Sequence, residues 1–224
     1  MSRKEYQTKL DELRENVLYM SEVVADRLRE SLTALEQQDE ELGQKVIDGD
    51  AEINDLYLDL EQDCTDLIAL QQPVAGDLRF IAASFKIITD LERIADLATN
   101  LAGYAQMAER EMFPDVDVQR IGDETLEMLD EAMRAYGQED PELCYDVANQ
   151  DETVDELCED ASELVVRDLI QREELDEDTD IETTMREVQR LLLTIRDLER
   201  VGDHAVNIAA RALYMIENDD ELLY

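Results

Sequence analysis

The stretch Asp90-Leu-Glu-Arg-Ile-Ala-Asp96 returns as Asp197-Leu-Glu-Arg-Val-Gly-Asp203, at a spacing of 107 residues. A repeat of this kind constrains the architecture before any other feature is read, because the chain must build one unit twice and bury the two copies in compatible ways. Positions four apart lie on one face of a helix. Glu92, Asp96 and Asn100 therefore form one ladder, and Glu199, Asp203 and Asn207 form the other. The residues between them are apolar (Ile88, Leu91, Ile94, Ala95 and Ala98, then Ile195, Leu198, Val201, Ala205 and Ile208), so each carboxylate ladder borders a core-facing seam.

The fold class follows from what is scarce. Only 7 glycines and 3 prolines occur in 224 residues, too few to punctuate the turns of a sheet protein. The apolar rhythm of three and four predicts six long helices, all-α, arranged as a tandem pair of three-helix bundles with pseudo-twofold symmetry. The first helix follows Tyr6 to Leu35. The second runs from Leu42 to about Gln71, where Gln72-Pro73 stops it, and Asp77 is read as the N-cap of the third, which reaches about Glu109. Met112-Phe113-Pro114-Asp115 interrupts the rhythm, so the units are expected at 1–111 and 116–224. Val118 to Tyr136 forms the fourth helix, and Asp140-Pro141 opens the fifth with proline at its first position. The charged stretch 171–180 is read as a loop, and the sixth helix spans Glu182 to about Glu217. A weaker echo relates Asp39–Asp50 to Asp140–Asp151 at a spacing of 101.

Charge narrows the function classes. Against 59 acidic residues stand 20 basic ones, a formal charge of −39. Such a shell repels phosphate backbones, which argues against nucleic acid as a partner. It also strains a compact fold at low ionic strength, and molar salt relieves that strain. With only four lysines, Lys4, Lys9, Lys45 and Lys86, the composition reads as adaptation to a saline, halophilic cytoplasm. No apolar run is long enough to span a membrane and the amino terminus has no signal-peptide core, so a cytoplasmic protein is expected. Cys64, Cys144 and Cys158 sit in helical patterns and read as small buried hydrophobes.

The candidate ligands are almost wholly oxygen. To the two ladders the spacing adds Asp55, Asp59 and Asp63 on one neighbouring helix, and Asp151, Asp155, Glu159 and Glu163 on the other. Oxygen donors of this type suit hard cations such as iron, manganese, magnesium or calcium. Acidic pairs four apart also arise by chance in so acidic a chain and then merely face water. The repeat of the seven-residue motif favours the ladders as ligands, while the Asp55 and Asp151 series read more readily as solvated faces. Arg93 and Arg200 read as salt-bridge partners, and His204, with Leu97 as its counterpart, as structural. A di-metal oxidase needs Glu-x-x-His from two helices, which a single histidine cannot supply, and no nucleophile with an orienting base is visible. No enzyme is expected.

The twin motifs, together with Gln72-Pro-Val-Ala-Gly-Asp-Leu-Arg79, resemble the PhoU family of phosphate-transport accessory proteins over nearly the whole chain. The resemblance implies two three-helix bundles, each with an acidic motif that binds metal, often as multinuclear clusters; by position these are Glu92 with Asp96 and Glu199 with Asp203. It implies a negative regulator of phosphate homeostasis, a homodimer at the inner membrane face. Such a regulator restrains a phosphate ABC transporter through its ATPase subunit, and any linked sensor kinase, when phosphate is plentiful. PhoU-like bundles also serve potassium or anion transporters, which is the alternative.

Overall fold

The computed structural model describes residues 3–70, 73–107, 116–171 and 181–223, and every regular element among them is helical. In chain order these are α1 (Arg3–Gln37), α2 (Glu40–Asp48), α3 (Asp50–Leu70), α4 (Ala75–Gln106), α5 (Val118–Gln138), α6 (Pro141–Gln171) and α7 (Ile181–Glu217), followed by a short 3₁₀ turn at Glu221–Leu223. The expected linker at 112–115 and loop at 172–180 lie outside the described residues.

The starts and stops follow local chemistry. Gln38 takes a left-handed backbone with φ 51°, which ends α1. Asp39 then accepts a hydrogen bond from the Leu42 N–H at 3.0 Å and caps α2, satisfying a donor that the first turn leaves unpaired. Asp140 accepts from the Glu142 N–H at 3.0 Å ahead of Pro141, as the Asp-Pro pair predicts. Two expectations need correction. The third long helix starts earlier than Asp77: Val74 is its N-cap and contributes no side-chain bond, while Asp77 sits in the first turn and pairs with Arg3 at 2.8 Å. The second long helix is broken into α2 and α3 at Gly49, whose N–H bonds both Lys45 and Val46 carbonyls and whose carbonyl accepts from Glu52. These shorter bonds tighten one turn. The Arg27 guanidinium lies over Gly49, so close that a Cβ there would meet its Cζ at 2.5 Å, a contact that apolar periodicity does not register.

α4 and α7 form the centre. α4 carries α1, α2 and α3 on its flanks, α7 carries α5 and α6, and the two halves meet where α4 packs on α7 and α1 packs on α5. A twofold that exchanges α1 with α5, α2–α3 with α6, and α4 with α7 maps each of these contacts onto another or onto itself. One continuous core results, running from Tyr6, Leu13 and Ile81 through Ile94 and Met128 to Leu198 and Leu213, all 1% exposed or less. Burying a side chain of that size contributes about 1.5–3 kcal/mol. The α1–α5 approach is close at Gly122: a Cβ there would lie 2.4 Å from Leu32 Cδ2, so the Leu32 side chain would have to shift. The three cysteines are buried and unpaired, as their helical spacing suggests.

Candidate metal centre

Within each seven-residue motif the helix sorts its side chains by face. On α4, Leu91, Ile94 and Ala95 enter the core, Glu92 is half-buried at its edge and Asp96 is exposed one turn on. On α7, Leu198, Val201 and Gly202 are buried while Glu199 and Asp203 are exposed. Asn100 and Asn207 stand one turn further along, both exposed. The ladders thus lie along the boundary between core and solvent.

What faces them differs between the halves. Beside α7, the α6 carboxylates Asp151 and Asp155 complete a group of four with Glu199 and Asp203. Burial, then Asp155, Asp203 and Glu199 in that order, push Asp151 up to about 6. Burial followed by the charge of Asp155 raises both Glu199 and Asp203 above the ordinary carboxylate range. Asp151 also lies against the motif glycine: a Cβ at Gly202 would stand 3.6 Å from its Oδ1, an ordinary contact. The methyl of Ala95 at the equivalent place in α4 is accordingly tolerable.

Beside α4 the partner is Asp50. Glu92 is raised by burial and then by Asp96, with Asp50 adding to the effect, and Asp96 is raised by burial and then by Asp50. The structure does not bring Asp55 or Asp59 to this group; both are exposed on α3, and neither acts on Glu92 or Asp96. Their spacing of four is a solvated helix face. Glu159 and Glu163 are likewise exposed on α6, Glu163 pairing with Arg167. Asp50 was legible in the sequence through the weaker echo, since a spacing of 101 carries Asp50 onto Asp151 and Asn54 onto Asp155. Asn54 donates to Asp50 at 2.8 Å and Thr99 donates to it at 3.4 Å. The α4 group therefore holds three carboxylates with an amide in place of the fourth.

Chemically these are two sets of oxygen donors whose mutual repulsion and partial burial disfavour the ionised state. A hard cation offsets both costs and accepts this donor set without nitrogen or sulfur. As the side chains stand, no three acidic, histidine or cysteine groups among the described residues close around a single point. Their rotamers must converge for a metal to be enclosed.

The motif's first residue had no assigned role from sequence, and the structure gives it one. Asp90 and Asp197 are 7% and 0% exposed, buried where α4 meets α7. Asp90 accepts from His204 Nδ1 at 2.9 Å, and Asp197 accepts from the Tyr104 hydroxyl at 2.9 Å and from Arg196 at 2.7 Å. Each aspartate thus accepts a bond from the helix of the opposite half, and Asp197 a further one from its neighbour Arg196 on its own helix. His204 has the structural role expected of it, and Arg93 lies 3.8 Å from Asp90 as an exposed salt-bridge partner.

The comparisons with known proteins agree with this architecture. The family model of the PhoU domain matches twice, over residues 17–105 and 118–212. A phosphate-specific transport system accessory protein PhoU homolog of Pseudomonas putida is 33% identical over 222 residues, covering 96% of this chain and 82% of that protein. A PhoU homolog of Methanothermobacter thermautotrophicus is 33% identical over 214 residues, covering 94% of each. The crystal structure of PhoU from Pseudomonas aeruginosa superimposes with a TM-score of 0.87 at 31% identity, covering 96% of this chain and all of that one. The two matched stretches each contain one acidic motif, and the likeness to solved and sequenced relatives runs nearly end to end, so the chain belongs to the PhoU family.

Proposed function

We propose that this protein is a non-enzymatic accessory regulator of phosphate-specific transport, restraining a phosphate ABC transporter and any linked sensor kinase when phosphate is plentiful. The names of its relatives as accessory proteins of phosphate-specific transport support the transport assignment. No helix among the described residues is long and apolar enough to cross a membrane. A regulator of this kind acts at the cytoplasmic face by contact with the transporter's ATPase subunit, and we place it there as a homodimer.

The observation that carries the reading is the recurrence of a carboxylate group at the same place in each half: Asp50, Glu92 and Asp96, then Asp151, Asp155, Glu199 and Asp203. In this proposal both groups hold hard cations, iron, manganese or magnesium, singly or as clusters, with Asn100 and Asn207 as further oxygen donors. A bound cation supplies positive charge where like charges crowd. The protein's own part is to hold α3 against α4 and α6 against α7 so that the carboxylates converge, giving a rigid acidic face for a partner to read.

Two measurements test this. Metal analysis of protein purified without chelators should find iron, manganese or magnesium, and Glu199→Ala with Asp203→Ala should remove the share held by α7; an unchanged metal content in the double variant refutes the assignment. In cells, deletion of the protein should derepress phosphate uptake. A change in potassium uptake with phosphate uptake unaltered would contradict the transport assignment.

A further inference from the structure

Positive charge is not spread evenly over this acidic chain. α4 and α7 together hold ten acidic and eight basic residues, a net −2, whereas the remaining 155 residues hold 49 against 12, a net −37. Three of those ten acids, Asp90, Glu187 and Asp197, are buried. Each has an arginine beside it: Arg93 at 3.8 Å, Arg190 at 2.7 Å and Arg196 at 2.7 Å. Four more are the ladder carboxylates, Glu92 and Asp96 beside Asp50 of α3, and Glu199 and Asp203 beside Asp155 of α6.

The basic residues lie along one line. At about 100° per residue, Arg79, Lys86 and Arg93 fall within about 60° of the α4 circumference together with Asp90 and Tyr104, the two residues that reach α7. Arg186, Arg190, Arg200 and Arg211 fall within about 80° of the α7 circumference together with Asp197 and His204, the two that meet α4. From Asp90 to Tyr104 along α4, the partner on α7 moves back from His204 to Asp197, so the helices run antiparallel. The basic residues therefore border a single seam, from Arg79 at one end to Arg186 at the other, about 45–50 Å at 1.5 Å per residue. Lys86, Arg93, Arg186, Arg196 and Arg200 are exposed and the other three half-buried. The outer face of the seam is a basic strip between two acidic margins.

Three of its cations have no partner within the fold. Arg79, Lys86 and Arg211 make no ion pair or side-chain hydrogen bond with any described residue, and the Nε of Arg79 is buried without an acceptor. Cations left unpaired in a chain with 59 acidic residues are available to an anion from outside. At the α7 end the strip opens into a cleft of about 660 Å³, lined by Tyr104, Met107, Leu193, Arg186 and Arg190, and also by Glu40. It sets exposed apolar surface next to two guanidinium groups.

We propose that the α4–α7 strip is a docking surface for an acidic helix of a partner protein, which lies along the seam with its carboxylates on the arginines and one apolar side chain in the cleft. Arg79, Lys86 and Arg93 recur every seven residues, about 10 Å, the interval at which a helix returns side chains to one face. Seven of the eight cations are arginines, whose fork matches a carboxylate with two parallel bonds. A small anion meets only one or two of these groups. A nucleic-acid backbone or an anionic membrane extends past the strip and presses phosphates against the acidic margins. The axes of packed helices stand about 8–10 Å apart, so the groove between α4 and α7 suits one further helix. This mode of contact deepens the proposed function by naming how a partner is held, and it needs no cation at either carboxylate group.

The test uses the full chain in chelator at about 0.15 M potassium chloride, where exposed charges act over about 8 Å. The probe is a synthetic helical peptide of about 30 residues, long enough to span the strip, with glutamates every three and four residues on one face and a leucine near one end. A second peptide carries glutamine in place of glutamate. By fluorescence anisotropy, the glutamate peptide should bind saturably, one per chain, and the glutamine peptide about fivefold or more weakly. Arg79→Gln with Lys86→Gln and Arg211→Gln removes three charges that no contact of the fold uses, and should weaken binding of the glutamate peptide by about fivefold or more, the loss of three exposed ion pairs. Lys9→Gln with Arg120→Gln and Arg167→Gln, exposed on α1, α5 and α6, changes the net charge equally and should weaken it by less than about twofold. Circular dichroism checks that the variants fold; if the first does not, Lys86→Gln alone, on an exposed side chain, replaces it with an expected loss of about twofold. Equal weakening by the two triple variants overturns the proposal, as does equal binding of the two peptides or no binding of either. Tighter binding of inorganic phosphate, or of vesicles of equal parts phosphatidylglycerol and phosphatidylcholine, with the same loss in the first variant, gives the strip another occupant and overturns it too. Each of these results leaves the role in phosphate transport standing.

Discussion

Asp151→Asn tests the electrostatic reading of the α7 group. Asp151 is held at about 6 by burial and three carboxylate neighbours, against an ordinary 3.8. A rise of about two units corresponds to about 3 kcal/mol of disfavour for the ionised form at 1.36 kcal/mol per unit. Solvent contact and screening reduce this to about 1–1.5 kcal/mol. The sign follows from linkage. The folded state binds more protons than the unfolded one between the two values, so stability falls as pH rises through that window, and the ionised group is a burden above it. In metal-free protein near pH 8, the neutral amide should therefore raise stability by about 1 kcal/mol, or roughly 2–4 °C in melting temperature for a chain of this size. Near pH 4, where Asp151 itself is mostly protonated, the gain should shrink toward zero. Thermal unfolding followed by circular dichroism, with a chelator present and then with manganese(II), reads all three quantities. With manganese the order should invert, since wild type gains binding energy that the variant partly loses. A variant less stable than wild type in chelator, or a gain equally large near pH 4, refutes the repulsion argument.

Other outcomes follow from the same structure. Stability should rise steadily with potassium chloride up to molar concentrations, because a formal charge of −39 is progressively screened; denaturant titrations at several salt levels measure this, and a flat response contradicts the salt-adaptation reading. Gly122→Ala should cost about 1–3 kcal/mol, since the added methyl would stand 2.4 Å from Leu32 Cδ2 in a packed core. Trimming the obstacle with Leu32→Ala in the same chain should make the two changes less than additive. Tyr136→Phe should cost about 0.5–1.5 kcal/mol, because the buried hydroxyl lies 2.8 Å from Ser84 Oγ, which keeps its own bond to the Phe80 carbonyl.

The all-helical pair of bundles was legible because helix-period patterning and the 107-residue repeat both act locally and leave their mark on the residues themselves. The helix start at Asp140-Pro141 was readable for the same reason. The break at Gly49 was not, because one tightened turn there interrupts the helix without interrupting the apolar rhythm. The motif carboxylates on α4 and α7 stand where the motif puts them, at the edge of the core. Their neighbours were harder. Asp55 and Asp59 have the right spacing but the wrong azimuth on α3, whereas Asp50 has the right azimuth and an amide, Asn54, where a second carboxylate at four would advertise it. Spacing along one helix says nothing about which face meets the next, and only the weaker repeat at 101 carried that information. Asp90 and Asp197 illustrate the remaining limit. A charged residue in an acidic motif reads as exposed, and burial becomes plausible only once His204 and Tyr104 are seen to arrive from the opposite half.

The most direct measurement is equilibrium dialysis of the chelator-treated protein against manganese(II) in molar potassium chloride, where loose counterion binding to the acidic surface is suppressed. A parallel sample would carry Glu92→Gln, Asp96→Asn, Glu199→Gln and Asp203→Asn together. The account predicts saturable binding of at least one ion per carboxylate group in wild type and its loss in the substituted protein. Equal retention by the two proteins would contradict it.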